Sequence, residues 1–149
     1  MSFQFPVRVY WEDTDAGGIV FYANYLKFME RARTEWLRAM GVEQRKLRDE
    51  TGGMFVVSET QLKYHRPARL DDELLVTAEL KHAGSASLII AQSVLSKTEQ
   101  GLLLCDGTIR IGWVDSATLR PARIPANFSA QVSGTHESPG GSMSQPSKP

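Results

Sequence analysis

Three acidic residues and two glycines stand together near the N-terminus, in the segment WEDTDAGGIVFYANY from residue 11 to residue 25. They are Glu12, Asp13, Asp15, Gly17 and Gly18. A carboxylate acts on an acyl group either as a general base on water or as a nucleophile. Glycine lets the backbone approach a substrate closely. These residue types at this spacing suit acyl transfer.

The same segment ends at the start of a predicted helix, where unpaired amides and about half a positive charge would polarise a carbonyl oxygen. Apolar side chains that could line an acyl slot are Trp11, Ile19, Val20, Phe21 and Tyr22. A simpler interpretation stays open, since acids before a helix often neutralise its dipole and paired glycines often form a turn. For Glu12 and Asp13 we expect solvation or an ion pair with Arg8 or a helix arginine.

Other chemistries find little support. The histidines, His65, His82 and His136, show no metal-ligand spacing to one another or to cysteine. Cys105 lies in the apolar stretch LLLCDG and reads as a buried structural thiol. We find no nucleophile elbow and no phosphate-binding glycine loop. We therefore expect neither a metal nor a cofactor.

Length and composition favour one globular domain of 149 residues with a formal net charge of zero. Neither nucleic acid nor an anionic membrane surface is indicated as a partner. One cysteine, no signal-peptide pattern and no apolar run near about 20 residues predict a cytoplasmic protein without a membrane span.

Hydrophobic periodicity predicts one long helix among several strands. The predicted strands cover residues 7–11, 55–64, 73–81, 87–97 and 102–114. The long helix covers residues 25–40, with Asn24 as N-cap and Gly41 as the left-handed residue after it. A short helix is expected to end at Gly52-Gly53. The last four strands have hairpin-like spacing, which predicts an antiparallel meander.

These elements predict an α+β architecture, in which a sheet of about five antiparallel strands wraps around the long helix. Such a sheet has open edges, so we expect dimerisation. The domain should cover residues 1–130. Residues 131–149 are rich in serine, glycine and proline, and we expect a disordered tail there.

The stretch RVYWEDTDAGGIVFYANYLKFMERARTEWLR resembles the signature of the 4-hydroxybenzoyl-CoA thioesterase family. The resemblance continues through LKYHRPARLDDELLV and WVDSATLRPARIP, and covers roughly residues 5 to 128. It is strongest toward the bacterial acyl-CoA thioesterases encoded with the Tol–Pal envelope system. It implies the hotdog fold, a homodimer or homotetramer with active sites at the dimer interface, and hydrolysis of acyl-CoA.

The resemblance also implies residue roles. Asp15 matches the catalytic carboxylate, as base or nucleophile, and Tyr22 supplies an amide to the thioester carbonyl, with Gly17 or Gly18 nearby. The close relatives usually have His where this chain has Tyr22 and Tyr where it has Trp11. Candidate cations for the CoA phosphates are Lys81, His82, Arg120 and Arg123.

Two other functions stay open. The first is an acyl-thioester-binding or scaffold protein that partners with acyl carrier protein or the Tol–Pal system. The second is a hotdog hydratase, which would need a histidine beside the carboxylate. No histidine occurs between residues 11 and 25, which disfavours the hydratase.

Overall fold

A computed structural model describes residues 3–126 together with Phe128 and Val132. Its helices and strands follow the predicted order. They are β1 Phe3–Arg8, α1 Tyr25–Ala39, α2 Gln44–Thr51, β2 Gly53–Tyr64, β3 Glu73–Ala83, β4 Ser87–Ser96 and β5 Leu102–Asp115. The predicted α+β class, the long helix and the five-stranded antiparallel sheet are confirmed.

The five strands are ordered β1-β3-β4-β5-β2, and every neighbouring pair is antiparallel. The predicted meander is therefore right for β3 to β5 and wrong for β2. That strand pairs with β5, with Gly53 opposite Asp115 and Tyr64 opposite Cys105. The link from β2 to β3 consequently crosses from one edge of the sheet to the strand beside the other edge.

Helix α1 packs on one face of the sheet and supplies much of the core. Phe28, Met29 and Ala32 are fully buried, as their spacing along one helical stripe predicts. The helix ends as expected at Gly41, which has φ +86°. The amides of Gly41 and Val42 donate to the carbonyls of α1's last turn, which forms a Schellman motif.

One buried polar side chain joins the helix to the sheet. Gln92 of β4 donates through Nε2 to the carbonyl oxygens of Met29 and Thr77, both at 3.0 Å. Its Oε1 accepts from Nη1 of Arg33 at 2.9 Å. These bonds satisfy the polar atoms of a residue that is only 1% exposed.

The prediction of a strand at residues 7–11 was wrong at its C-terminal end. β1 ends at Arg8, and residues 11–13 form a 3-10 turn. Trp11 is consequently 77% exposed and belongs to no strand.

The chain after β5 returns to the core. Phe128 is buried, and so is Val132, which lies within the predicted tail; the rest of residues 131–149, including His136, lies outside the described residues. None of the described helices is long and apolar enough to cross a bilayer.

Candidate active site

Asp15 lies at the start of a tight turn that is closed by its own backbone and side chain. The Gly18 amide donates to the Asp15 carbonyl at 3.0 Å, and the Asp15 amide donates to Ile19 O at 2.9 Å. Gly18 adopts φ +80°, a conformation that glycine reaches without strain. The Gly17 amide donates to Asp15 Oδ1 at 2.8 Å. The carboxylate is thus held in one orientation, yet remains exposed in the single chain.

Asp13 has a different role from the one expected for it. It is 5% exposed, and its Oδ2 accepts the Tyr10 amide at 2.8 Å. Its carbonyl oxygen accepts the Phe21 amide at 3.0 Å and Asn24 Nδ2 at 2.9 Å. The expected solvation or ion pair is therefore wrong for Asp13, which joins the two sides of the loop.

Two residues predicted to interact with this segment or with α1 have other partners. Arg8 pairs with Glu73, at 2.9 Å between Nη2 and Oε2, and so is engaged elsewhere. Asn24 was expected to cap α1, but its side chain makes no cap hydrogen bond and donates to Asp13 instead. A 3-10 turn over Tyr22–Asn24 precedes α1 and takes the place of the predicted cap.

This turn presents unpaired amides beside the segment from residue 11 to residue 21, which carries Asp13 and Asp15 and is called the carboxylate loop below. Within the described part of the chain, the amides of Tyr22 and Ala23 donate to no backbone or side-chain acceptor. The amides of Gly17 and Gly18 are both used by Asp15. Of the amides predicted to face a thioester carbonyl, Tyr22's is therefore the one that is available.

The residues predicted to line the acyl slot are divided by the fold. Val20 is buried in the core, where its amide donates to Ala68 O at 2.9 Å, and Ile19 is half-buried. Trp11 and Phe21 are exposed, and Tyr22 is 64% exposed. One chain therefore forms an open aromatic surface around the loop and not an enclosed slot.

Tyr64, at the end of β2, contacts the candidate site and was not predicted from the sequence. Its hydroxyl donates to Tyr22 O at 3.1 Å, and its ring lies edge-on to the rings of Tyr22 and Tyr25, with centroids 6.3 and 5.6 Å apart. Burial raises the pKa of both Tyr64 and Tyr25 above the usual range, so both stay protonated at neutral pH. Only the position of β2 beside β5 brings Tyr64 here, and alternation along the strand gave no signal for it.

The four predicted CoA cations lie away from Asp15 in the same chain. The Asp15 loop contacts the chain just before β3, where the Leu70 amide donates to Gly18 O at 3.1 Å. Lys81 lies eight residues beyond Glu73, the start of β3, a distance of about 26 Å along the strand.

The remaining CoA candidates lie at that distant end as well. Arg120 and Arg123 lie on the segment after β5, whose Ile124 amide donates to Ser85 O in the β3–β4 turn at 2.8 Å. His82 lies close to this turn, near the end of β3. The fold thus brings the cations to one end of the sheet and Asp15 to the other.

The other nucleophile and base candidates have separate structural explanations. Cys105 is fully buried as predicted, and desolvation, then the nearby Asp106 charge, raise its pKa to about 12. It therefore remains a neutral thiol at physiological pH. His65, the residue after β2, has its Nε2 2.8 Å from Oδ1 of Asp106 on β5. This exposed pair is separate from the carboxylate loop.

Comparisons with known proteins show that this chain is similar to thioesterases over most of its length. A family model described as the thioesterase-like superfamily matches residues 9–132. The acyl-CoA thioesterase YbgC of Haemophilus influenzae is 41% identical over 129 residues, covering 87% of this chain and 93% of that protein. The acyl-CoA thioester hydrolase YbgC of Escherichia coli O6:H1 is 39% identical, covering 87% and 94%. A crystal structure of a probable thioesterase from Bartonella henselae is 29% identical with a TM-score of 0.76, covering 84% and 100%.

Proposed function

Because this chain belongs to the thioesterase-like superfamily, we propose that it hydrolyses acyl-CoA to a free acid and CoA, with Asp15 as the reacting carboxylate. The observation that carries the proposal is the juxtaposition of two features. Asp15 is held by the Gly17 amide at 2.8 Å, and the adjacent turn presents the unpaired amide of Tyr22. The relatives at 41% and 39% identity are named acyl-CoA thioesterase and acyl-CoA thioester hydrolase.

In the proposed reaction, the Tyr22 amide and the Asp15 carboxylate have separate roles. The thioester carbonyl oxygen accepts from the Tyr22 amide, which stabilises the negative charge that develops on it. In one route Asp15 removes a proton from water as the water oxygen attacks the carbonyl carbon. In the other, Asp15 attacks directly, and water then hydrolyses the mixed anhydride. In both routes the C–S bond breaks and the CoA thiolate leaves and takes up a proton.

We propose further that the enzyme is a homodimer paired along β2. Of the two sheet edges, β1 has six residues and contains Pro6, whereas β2 has twelve and contains no proline. A long edge without proline is the better template for another strand. β2 also ends at Tyr64, which contacts the site. Two such dimers would form the homotetramer that the family resemblance allows.

Pairing along β2 would explain the distant cations. In a two-fold antiparallel pair, the Gly53 end of one β2 lies beside the Tyr64 end of the other. The Ser116 amide donates to Gly52 O at 2.9 Å, so the segment that carries Arg120 and Arg123 lies close to the Gly53 end. The cations of one protomer would then approach the carboxylate loop of its partner, where the CoA phosphates need them. The lone Cys105 suits a reducing cytoplasm, where we place the enzyme.

The test is release of free thiol from short-chain, long-chain and aromatic acyl-CoAs, comparing the wild type with Asp15→Asn. Asparagine can still accept the Gly17 amide, so the turn should persist, while kcat should fall by at least about 100-fold. Glu12→Gln is the matched control, because it removes an exposed carboxylate three residues away. Near wild-type activity of Asp15→Asn would refute the assignment. Absence of turnover on every acyl-CoA, with capture of acyl carrier protein, would favour the binding or scaffold function.

A further inference from the structure

We propose that Tyr64 is a positioning residue for the thioesterase reaction, acting through the peptide bond between Tyr22 and Ala23; this rests on the proposed function. The hydroxyl of Tyr64 donates to Tyr22 O at 3.1 Å. It is a side-chain bond from the edge strand β2 to the 3-10 turn that presents the unpaired amides.

The geometry of a peptide bond makes this contact effective. The Tyr22 carbonyl and the Ala23 amide belong to one planar trans unit, so they point in opposite directions. A donor on the carbonyl therefore fixes the direction of the Ala23 N–H, and it also polarises that N–H toward greater donor strength. The Tyr22 amide belongs to the preceding peptide unit, but it is part of the same residue as the Tyr22 carbonyl. The hydrogen bond from Tyr64 therefore restrains the Tyr22 amide as well.

The surroundings of Tyr64 hold its hydroxyl in place. Its ring lies edge-on to the ring of Tyr25, and the Tyr25 hydroxyl in turn accepts the Ala68 amide at 3.1 Å. Tyr25 is buried at the first position of α1. The donor therefore stands on a rigid support, and an oriented amide depends on such a support for accurate placement.

The location of Tyr64 links the site to the sheet edge. Tyr64 is the last residue of β2, the strand along which we propose that two copies pair. A second copy that orders this end of β2 would also order the amide-presenting turn. The isolated chain would then hold its amides less firmly than the dimer.

Tyr64→Phe tests the proposal because it removes one oxygen and keeps the ring. We expect kcat to fall by about tenfold, the effect of losing roughly one hydrogen bond's worth of transition-state orientation. KM and the affinity for CoA should stay within about twofold, since ground-state contacts are unaltered. Thr108→Val is the matched control, because it removes an exposed hydroxyl on β5, outside the proposed site, and should leave kcat within about twofold.

Folded fraction and oligomeric state are measured for each variant by thermal unfolding and light scattering. An unchanged kcat overturns the proposal. The proposal is also overturned if the loss of activity is explained by a higher KM, a lower folded fraction or dissociation of the dimer, because Tyr64 then has a structural role. An inactive wild type or a fully active Asp15→Asn would instead refute the proposed function. If the wild type is active and Asp15→Asn is not, an unchanged kcat of Tyr64→Phe refutes only the role of Tyr64.

Discussion

The two aspartates of the D-x-D segment should respond in opposite ways to the same substitution. Asp13 is 5% exposed and its Oδ2 accepts the Tyr10 amide, whereas Asp15 is exposed and its Oδ1 accepts the Gly17 amide. Asparagine keeps an acceptor oxygen at either position. Asp13→Asn should therefore preserve the loop and most of the activity, whereas Asp15→Asn should preserve the loop and lose the reaction.

The expected changes in the free energy of unfolding and in kcat follow from the hydrogen bonds of the two aspartates. Asp13→Asn exchanges one charge-assisted hydrogen bond for a neutral one, which costs about 1 kcal/mol of the free energy of unfolding. Asp13→Ala leaves the Tyr10 amide without its acceptor and should cost about 2 kcal/mol. We expect kcat of Asp13→Asn to stay within about fivefold of wild type, against at least about 100-fold for Asp15→Asn.

Urea unfolding and thiol release on the same preparations separate the two effects. Asp13→Ala is the informative third variant, because it should lose both stability and activity as the loop loosens. A loss of no more than about 1 kcal/mol of the free energy of unfolding in Asp13→Asn, together with a kcat as low as that of Asp15→Asn, would refute the reasoning. Asp13 would then take part in the chemistry and not only in holding the loop.

Two further predictions concern buried groups. Gln92→Leu should lower the free energy of unfolding by about 3 kcal/mol, because it strips the donor from two buried carbonyls and the acceptor from Arg33, whose pKa is already lowered by burial. Urea unfolding checks this against Gln100→Leu, an exposed turn position outside the proposed dimer edge that should change little. A loss below about 1 kcal/mol would contradict the role of Gln92. Cys105 should resist iodoacetamide at pH 8 in the native protein and react after denaturation, because it is buried and its raised pKa of about 12 keeps the thiol protonated. Mass spectrometry checks the labelling, and rapid native alkylation would contradict its burial.

Local signals in the sequence were sufficient for the helix and most strand positions. The apolar stripe through Phe28, Met29 and Ala32 predicted the buried face of α1, and Gly41 predicted its end. These features depend on side-chain periodicity and on backbone conformations that one residue type adopts readily. They could be read without knowing any tertiary contact.

The site was predictable only in part, for a physical reason. Acid, glycine and apolar residue types indicated acyl chemistry, and the family resemblance pointed to Asp15. Nothing local distinguished Asp13 from Asp15, because burial and the Tyr10 amide decide their difference. Alternation predicted Trp11 in a strand, but the turn closed by Asp13 takes its place.

Residue order and type were enough to indicate the α+β class and the long helix, because periodicity and turn chemistry act over a few residues. Strand order was decided by tertiary structure, since β2 pairs with β5 over contacts some fifty residues apart in sequence. That pairing brings Tyr64 to Tyr22, and the three-dimensional course of β3 and β5 carries the cations away from Asp15 within one chain. The free energy of long-range strand pairing combines the burial of whole strand faces with the loss of chain entropy. It depends on the whole chain and cannot be predicted from a short stretch of residues.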